Sequence, residues 1–147
     1  MNKTIWIFAS LLAGALLPLQ ASINAKLGKA GSSAIHASMI SFLIGAATVS
    51  IYILLTKQSV SWTGIKSAPA YAWLGGLLGA FYVTVVIMAF PKLGPALTFG
   101  LVVAGQMFLS ALMEHFDILV ANQHPLNIWR ILGFLMIIAG VVIIRKF

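Results

Sequence analysis

The sequence contains no cysteine and only two acidic residues, Glu114 and Asp117. The lack of cysteine excludes disulfides, thiol nucleophiles and cysteine-based metal sites. Catalysis by a carboxylate pair would require both acids, which stand three residues apart near one end of an apolar stretch. The GxxxxGKS, HExxH and GxSxG motifs do not occur either. We therefore predict that the protein is not an enzyme, and expect no catalytic residue, no metal site and no cofactor.

Charged residues of either sign are scarce, at 7% of the chain, whereas 61% of the residues are hydrophobic and the mean hydropathy is +1.06. This composition excludes a soluble domain with a polar surface. The formal net charge of +7 is compatible with nucleic-acid binding. However, the basic residues form no cluster and stand at the ends of apolar stretches, where their side chains extend toward lipid headgroups. We predict the lipid bilayer, and not nucleic acid, as a partner.

Five apolar stretches fill the chain, at about residues 5–25, 34–55, 70–90, 96–113 and 127–144. Each is close to the ~20 residues that a helix needs to cross ~30 Å of hydrocarbon. Lys3 and the apolar stretch after it resemble a secretory signal peptide. Because that stretch continues to Ala25, we expect a permanent first span instead. The sequence thus predicts an all-α integral membrane protein with five transmembrane helices in one membrane domain, residues 1–147.

The basic residues between the spans favour neither side of the membrane. An odd number of spans places the two termini on opposite sides. The side of the N-terminus would hold four basic residues, Lys3, Lys57, Lys66 and Arg130, and the other side would hold five, Lys26, Lys29, Lys92, Arg145 and Lys146. The positive-inside rule orients a protein by this difference, and four against five gives almost no orientation. We predict a chain that inserts in both orientations.

Small residues at a spacing of four indicate where helices pack. Gly75 and Gly79 form a GxxxG motif, and Gly100 with Ala104 forms a similar pair. Such spacing lets helix backbones approach closely, which matters because lipid supplies no hydrophobic force between helices. We interpret Gly75, Gly79 and Gly100 as packing residues without a function of their own.

Two amides in the first span are candidates for a binding surface. Gln20 and Asn24 are four residues apart and share one helix face. Pro18 removes a backbone donor and presses on the carbonyl of Gly14, so we predict a kink there. Buried amides need hydrogen-bond partners or water. Either the kinked helix forms a cavity wall, or both amides bond neighbouring helices or lie at the membrane interface.

The fourth span carries the clearest polar stripe, with Gln106, Ser110 and Glu114 at every fourth residue. Removal from water favours the neutral form of a carboxylate, so Glu114 at membrane depth would be a candidate proton carrier or cation site. In the alternative, Glu114 ends the helix among the headgroups and pairs with His115 or Arg130. Both interpretations stay open at this point.

Three parts of the chain carry recognisable motifs. They are GALLPLQASINAKLG at residues 14–28, GQ at 105–106 with EHF at 114–116, and RILG at 130–133 with AGV at 139–141. Together they resemble the five-helix inner-membrane exporters of the drug/metabolite transporter superfamily, over essentially the whole chain. Two positions depart from that pattern. Glu114 stands where the resemblance leads us to expect Asp, and Asp117 puts a charge where we expect Gly at a turn.

The resemblance implies a secondary-active exporter of small molecules in the bacterial inner membrane. Members of that family occur as dual-topology homodimers, as paired chains of opposite orientation, or as fused ten-helix proteins. We hypothesise an antiparallel homodimer, or pairing with a homologue of opposite topology, that works by alternating access. The substrate site would lie near the membrane midplane between the two copies. Its proposed lining residues are Gln20, Asn24, Gln106, Ser110 and Glu114.

Two other functions are compatible with the same residues. A small dual-topology ion channel also has few charges, and Asn24, Gln106 and Ser110 could coordinate an anion. The second alternative is a non-transporting accessory subunit that packs against another membrane protein. The polar stripe of the fourth span disfavours the accessory subunit, because a purely structural helix has little use for it.

Overall fold

The computed structural model describes residues 2–120 and 123–147, and within these ranges every regular element is a helix. Five helical stretches are long and apolar enough to cross a membrane: Lys3–Ala30, Ala34–Thr56, Ala70–Leu93, Pro95–His115 and Ile128–Lys146. The predicted all-α architecture with five candidate membrane spans is therefore confirmed. The largest difference from a predicted end is in the first span, which continues to Ala30 rather than stopping near residue 25.

We number the helices in chain order. They are α1 (Lys3–Ala30), α2 (Ala34–Thr56), α3 (Trp62–Lys66), α4 (Gly75–Leu93), α5 (Pro95–His115) and α6 (Ile128–Lys146), and a 3₁₀ segment at Ala70–Leu74 leads into α4. Side-chain oxygens cap the N-termini of three spans, with Asn2 at α1, Ser33 at α2 and Asn127 at α6. Ser33 Oγ accepts from the backbone N–H of His36 at 3.3 Å, and Asn127 Oδ1 accepts from that of Arg130 at 3.0 Å. Each cap satisfies a backbone donor that helix geometry leaves free.

Two prolines lie inside helices. α1 is continuous through Pro18, and the predicted kink at this residue stays a prediction. Pro91 lies within α4, which ends at Leu93, so the chain passes from α4 to α5 through Gly94 alone. Gly94 has φ +76 and ψ 164, a conformation that is essentially restricted to glycine. Its carbonyl accepts two bonds from Thr98, at 3.2 Å from the backbone nitrogen and 2.7 Å from Oγ1.

The chain divides into two compact units, Met1–Lys92 and Leu93–Phe147, and the single-domain assignment stays a prediction. In the first unit α1 packs against α2, and in the second α5 packs against α6. Small residues form the interior of the first unit. A Cβ at Gly28 would lie 3.3 Å from Ile87 Cγ2 and 3.5 Å from Ala37 Cβ. α1, α2 and α4 therefore meet closely at Gly28, while large side chains such as Leu11 and Phe81 are exposed along the spans.

The three glycines predicted to pack have different surroundings. A Cβ at Gly79 would lie 3.5 Å from the ring of Phe42, and one at Gly100 would lie 3.1 Å from Val141 Cγ2. A Cβ at Gly75 would have no neighbour within 4 Å among the described residues. Gly28, which is not among the three glycines predicted to pack, is buried more tightly than Gly75.

Substitution of Gly94 by alanine should lower stability. A Cβ in this backbone conformation costs about 1–3 kcal/mol. Gly105→Ala is the matched control, since Gly105 lies inside α5 with open space around it and should gain roughly 0.5–1 kcal/mol. Thermal unfolding of both variants in detergent measures the difference. Equal melting temperatures for the two variants would contradict the conformation assigned to Gly94.

Candidate functional site

Neutral hydrogen bonds join the helices of the first unit. Asn24, which is buried in α1, donates from Nδ2 to Ser41 Oγ of α2 at 3.1 Å. Ser38 donates its hydroxyl to the carbonyl of Ala34 at 2.9 Å, so the 2.8 Å bond between Ser38 Oγ and Thr84 Oγ1 has Thr84 as its donor. This second pair joins α2 to α4. Asn24 thus bonds a neighbouring helix, one of the two arrangements that the sequence left open.

Gln20 lies at a cavity beside these bonds. The cavity has a volume of about 450 Å³, and its wall includes Gln20, Ser41 and Phe42. Gln20 and Asn24 also line a gap between α1 and α4, together with Tyr82. The gap has a volume of about 10 Å³, which is at the lower limit for a single water molecule. The larger cavity has room for a small molecule next to Gln20.

The second unit has a cavity of its own between α5 and α6. Its volume is about 300 Å³, and Ser110, Glu114 and Arg130 form its polar wall. Met107 and Phe134 belong to the apolar remainder. Of the polar stripe predicted on the fourth span, this cavity therefore has Ser110 and Glu114. The third member, Gln106, is exposed on α5 and is not among the residues that line it.

Glu114 forms an ion pair across this cavity. Arg130 donates from Nη2 to Glu114 Oε2 and from Nη1 to the backbone carbonyl of His124 at 2.8 Å. The side chains of Arg130 and Glu114 are 32% and 30% exposed, so the ion pair is only partly buried. Glu114 is the residue before the last one of α5. It lies at the helix end and pairs with Arg130, as the alternative interpretation of Glu114 describes.

The connection from α5 to α6 folds back onto the end of α5. The backbone N–H of His124 donates to the carbonyl of Glu114 at 3.2 Å, and Gln123 Nε2 donates to that of His115 at 3.0 Å. His115 Nδ1 accepts from the backbone N–H of Leu126 at 3.2 Å. A ring nitrogen that accepts a hydrogen bond carries no proton, so in this arrangement His115 is neutral with its proton on Nε2. These three hydrogen bonds fix the connection against the end of α5 and so keep Arg130 close to Glu114.

The turn after α5 explains one departure from the family pattern. Asp117 has φ +56, in the left-handed region that favours glycine, and Leu119 has φ +57. Asp adopts this conformation more readily than most residues, because its short polar side chain can bond the nearby backbone. Glycine at position 117 would fit the same turn, and Asp117 preserves the turn with an added charge.

Comparison with known proteins shows the family to which this chain belongs. A family model described as "Putative inner membrane exporter, YdcZ" matches residues 5–143. The chain belongs to this family. The "Inner membrane protein YdcZ" of Escherichia coli (strain K12) is 25% identical over 118 residues, which cover 79% of this chain and 78% of that protein. No solved structure matches the chain.

Membership confirms the resemblance found in the motifs, and with it a multi-pass protein of the inner membrane. At this level the function is that of a membrane exporter, and the family is not a family of enzymes. The matched range includes Gln20 and Asn24 in the first unit and Glu114 and Arg130 in the second. From the sequence, Arg130 was one of two possible partners for Glu114, beside His115. Its position three residues after the N-cap Asn127 was the available signal, since it puts a cation in the first turn of α6.

Replacement of Arg130 by lysine should loosen the connection between α5 and α6. Lysine keeps the charge, but it has no planar fork to bond Glu114 and the His124 carbonyl together. Because the Arg130 and Glu114 side chains are partly exposed, loss of this double contact should cost about 0.5–1 kcal/mol, so amide exchange at His124 and Leu126 should be roughly two- to fivefold faster. Hydrogen–deuterium exchange measures this. Arg145→Lys, in the last turn of the same helix, is the control. If it accelerates amide exchange at His124 and Leu126 as much as Arg130→Lys does, the two bonds of Arg130 do not hold the connection.

Proposed function

We propose that the protein is a secondary-active exporter of small molecules in which Glu114 carries the coupling proton. The observation that supports this most directly is the position of Glu114. It is a partly exposed carboxylate beside a cavity of about 300 Å³, and its partner Arg130 is on the adjacent helix α6. Asp117, the other acid in the sequence, lies on the turn after α5.

The ion pair between Glu114 and Arg130 is suited to exchange. Partly exposed pairs contribute only about 0–1 kcal/mol, so a proton or a substrate cation can replace Arg130 at low cost. Protonation of Glu114 removes its negative charge and frees one side of the Arg130 guanidinium, which still donates to the His124 carbonyl. Because Glu114 is on α5 and Arg130 on α6, protonation of Glu114 would remove one contact between the two helices. A proton and a cationic substrate would then compete for one carboxylate.

Alternating access follows from an inverted homodimer. The 21 residues of α5 match the hydrocarbon thickness, and Gln106 is near the centre of this helix. Glu114 is eight residues further on, about 12 Å along the axis. In an antiparallel dimer the two copies of Glu114 would therefore lie on opposite sides of the midplane, one near each membrane surface. Gln20, Gln106 and Ser110 would supply substrate contacts closer to the midplane, and Asn24, whose amide bonds Ser41, would hold α1 against α2 beside them.

The charge distribution supports this assembly. The nine basic residues divide four to five between the two sides, which gives almost no preferred orientation. An oppositely oriented homologue would serve the same purpose in a heterodimer. The exchange between two mirror-related states would expose the shared substrate site to each side in turn.

Substitution of Glu114 by glutamine should abolish proton-coupled transport while leaving the protein folded. Glutamine has nearly the same shape but cannot exchange a proton at physiological pH. Proteoliposomes loaded with the pH-sensitive dye pyranine report proton movement when a panel of organic cations and amino acids is added. The compounds that drive proton movement through the wild-type protein are then tested on Glu114→Gln.

Asp117→Asn is the matched control, because it removes the same charge three residues away. It should keep coupled transport. Coupled transport by Glu114→Gln at the wild-type rate would remove Glu114 from the mechanism. Electrical ion flux that persists in Glu114→Gln and needs no organic substrate would favour a small ion channel instead.

The orientation of the chain is testable because the sequence has no cysteine. A single cysteine added after Phe147 provides one label, and a membrane-impermeant maleimide is applied before and after permeabilisation of the cells. About half of the chains should react from outside, because the difference of one basic residue gives little orientation. Labelling from one side only would contradict the homodimer and direct attention to a partner of opposite topology.

A further inference from the structure

Another cavity lies in the first unit, between the C-terminal ends of α1 and α4 and the N-terminal end of α2. Its volume is about 510 Å³. Lys26, Lys29 and Ser33 line its polar end, and Met88 and Phe90 of α4 line its apolar side. The two lysines are three residues apart in the last two turns of α1, so they lie on the same helix face. The cavity is separate from those beside Gln20 and Glu114, and the transport proposal does not use it.

The charge of this region is unbalanced. The first 92 residues contain six lysines and no acidic residue. Lys26 and Lys29 therefore have no carboxylate partner in their own unit, and the first turn of α2 beside them holds no acid either. An occupant of the polar end should be an anion.

The apolar side of the cavity restricts what that anion is. A free inorganic anion would contact the lysines and gain nothing from Met88, which is 49% exposed, or from the Phe90 side chain. An anionic phospholipid satisfies both ends, with a phosphate beside the ammonium groups and an acyl chain along α4. Helix ends carrying lysine also lie at headgroup depth in a protein of this kind.

We propose that this cavity is a binding site for an anionic phospholipid. The phosphate lies between the Lys26 and Lys29 ammonium groups near the start of α2, and one acyl chain follows Met88 and Phe90. Each lysine near an anionic headgroup contributes about 1 kcal/mol, so two lysines correspond to a selectivity of roughly 30-fold over a zwitterionic lipid.

Native mass spectrometry of the full chain, delipidated in a non-ionic detergent, tests the charged end of the site. Titrations with phosphatidylglycerol and with phosphatidylcholine give the two affinities. The double variant Lys26→Gln/Lys29→Gln should lose roughly 10- to 30-fold in affinity for phosphatidylglycerol. Lys57→Gln/Lys66→Gln is the matched control, since it removes two lysines from the same unit outside the cavity, and its affinity should stay close to that of the wild type.

A separate substitution tests the apolar side of the cavity. Met88→Trp fills the cavity beside α4 without a change of charge, and it should also weaken phosphatidylglycerol binding. Inorganic phosphate at millimolar concentration should not displace the lipid. Three results would each overturn the proposal: equal losses in the two double variants, equal affinity of the wild type for both lipids, or displacement of the lipid by inorganic phosphate. Because these measurements use protein in detergent and no transport, they are independent of the proposed function.

Discussion

Hydrocarbon offers no hydrogen-bond partner to a polar group and no hydrophobic reason for two apolar helices to associate. The helices of this protein must therefore be held by close backbone approach and by polar contacts made within the protein. Gly28 provides the first kind of contact, with Ile87 and Ala37 against it. The Asn24–Ser41 and Ser38–Thr84 bonds provide the second. Large apolar side chains are left to the lipid-facing surface.

The two units meet this constraint with different chemistry, namely neutral hydrogen bonds in the first unit and an ion pair in the second. Amide and hydroxyl bonds in membrane proteins average about 0.6 kcal/mol each and do not change with pH in the physiological range. The Asn24–Ser41 bond is of this type and suits a fixed assembly of helices. The Glu114–Arg130 pair depends on the charge of a carboxylate, so a single proton changes it. In the proposed export cycle the reversible step uses a contact of this second type, and Glu114 supplies it.

The sequence predicted the parts of the fold that depend on local composition. Hydropathy located all five spans, because a stretch of about 20 apolar residues has few other structures available. It placed the end of the first span near residue 25, five residues early, because Lys26, Gly28 and Lys29 lower the local hydropathy. These residues nevertheless continue the helix, since lysine stems can lie along apolar surface while their charges reach the headgroups.

Contacts between distant residues were harder to predict. Spacing showed that Gln20 and Asn24 share a face, but it could not identify Ser41, 17 residues away on another helix, as the partner of Asn24. The partner of Glu114 was limited to His115 or Arg130 by proximity to one helix end. The choice depended on the path of the connection to α6, where His124 and Leu126 bond back to α5. Such paths depend on backbone geometry that composition does not encode.

An almost even charge distribution gives each basic residue more weight than it has in a strongly oriented protein. Lys26 and Lys29 belong to the side with five basic residues, so loss of both would reverse the difference to four against three. In the proposed antiparallel dimer these lysines also occur once at each membrane surface. A phospholipid site built on them would then be present in both leaflets, and lipid binding would favour neither orientation. The same two lysines can therefore contribute to lipid binding and to balanced insertion without conflict between the two roles.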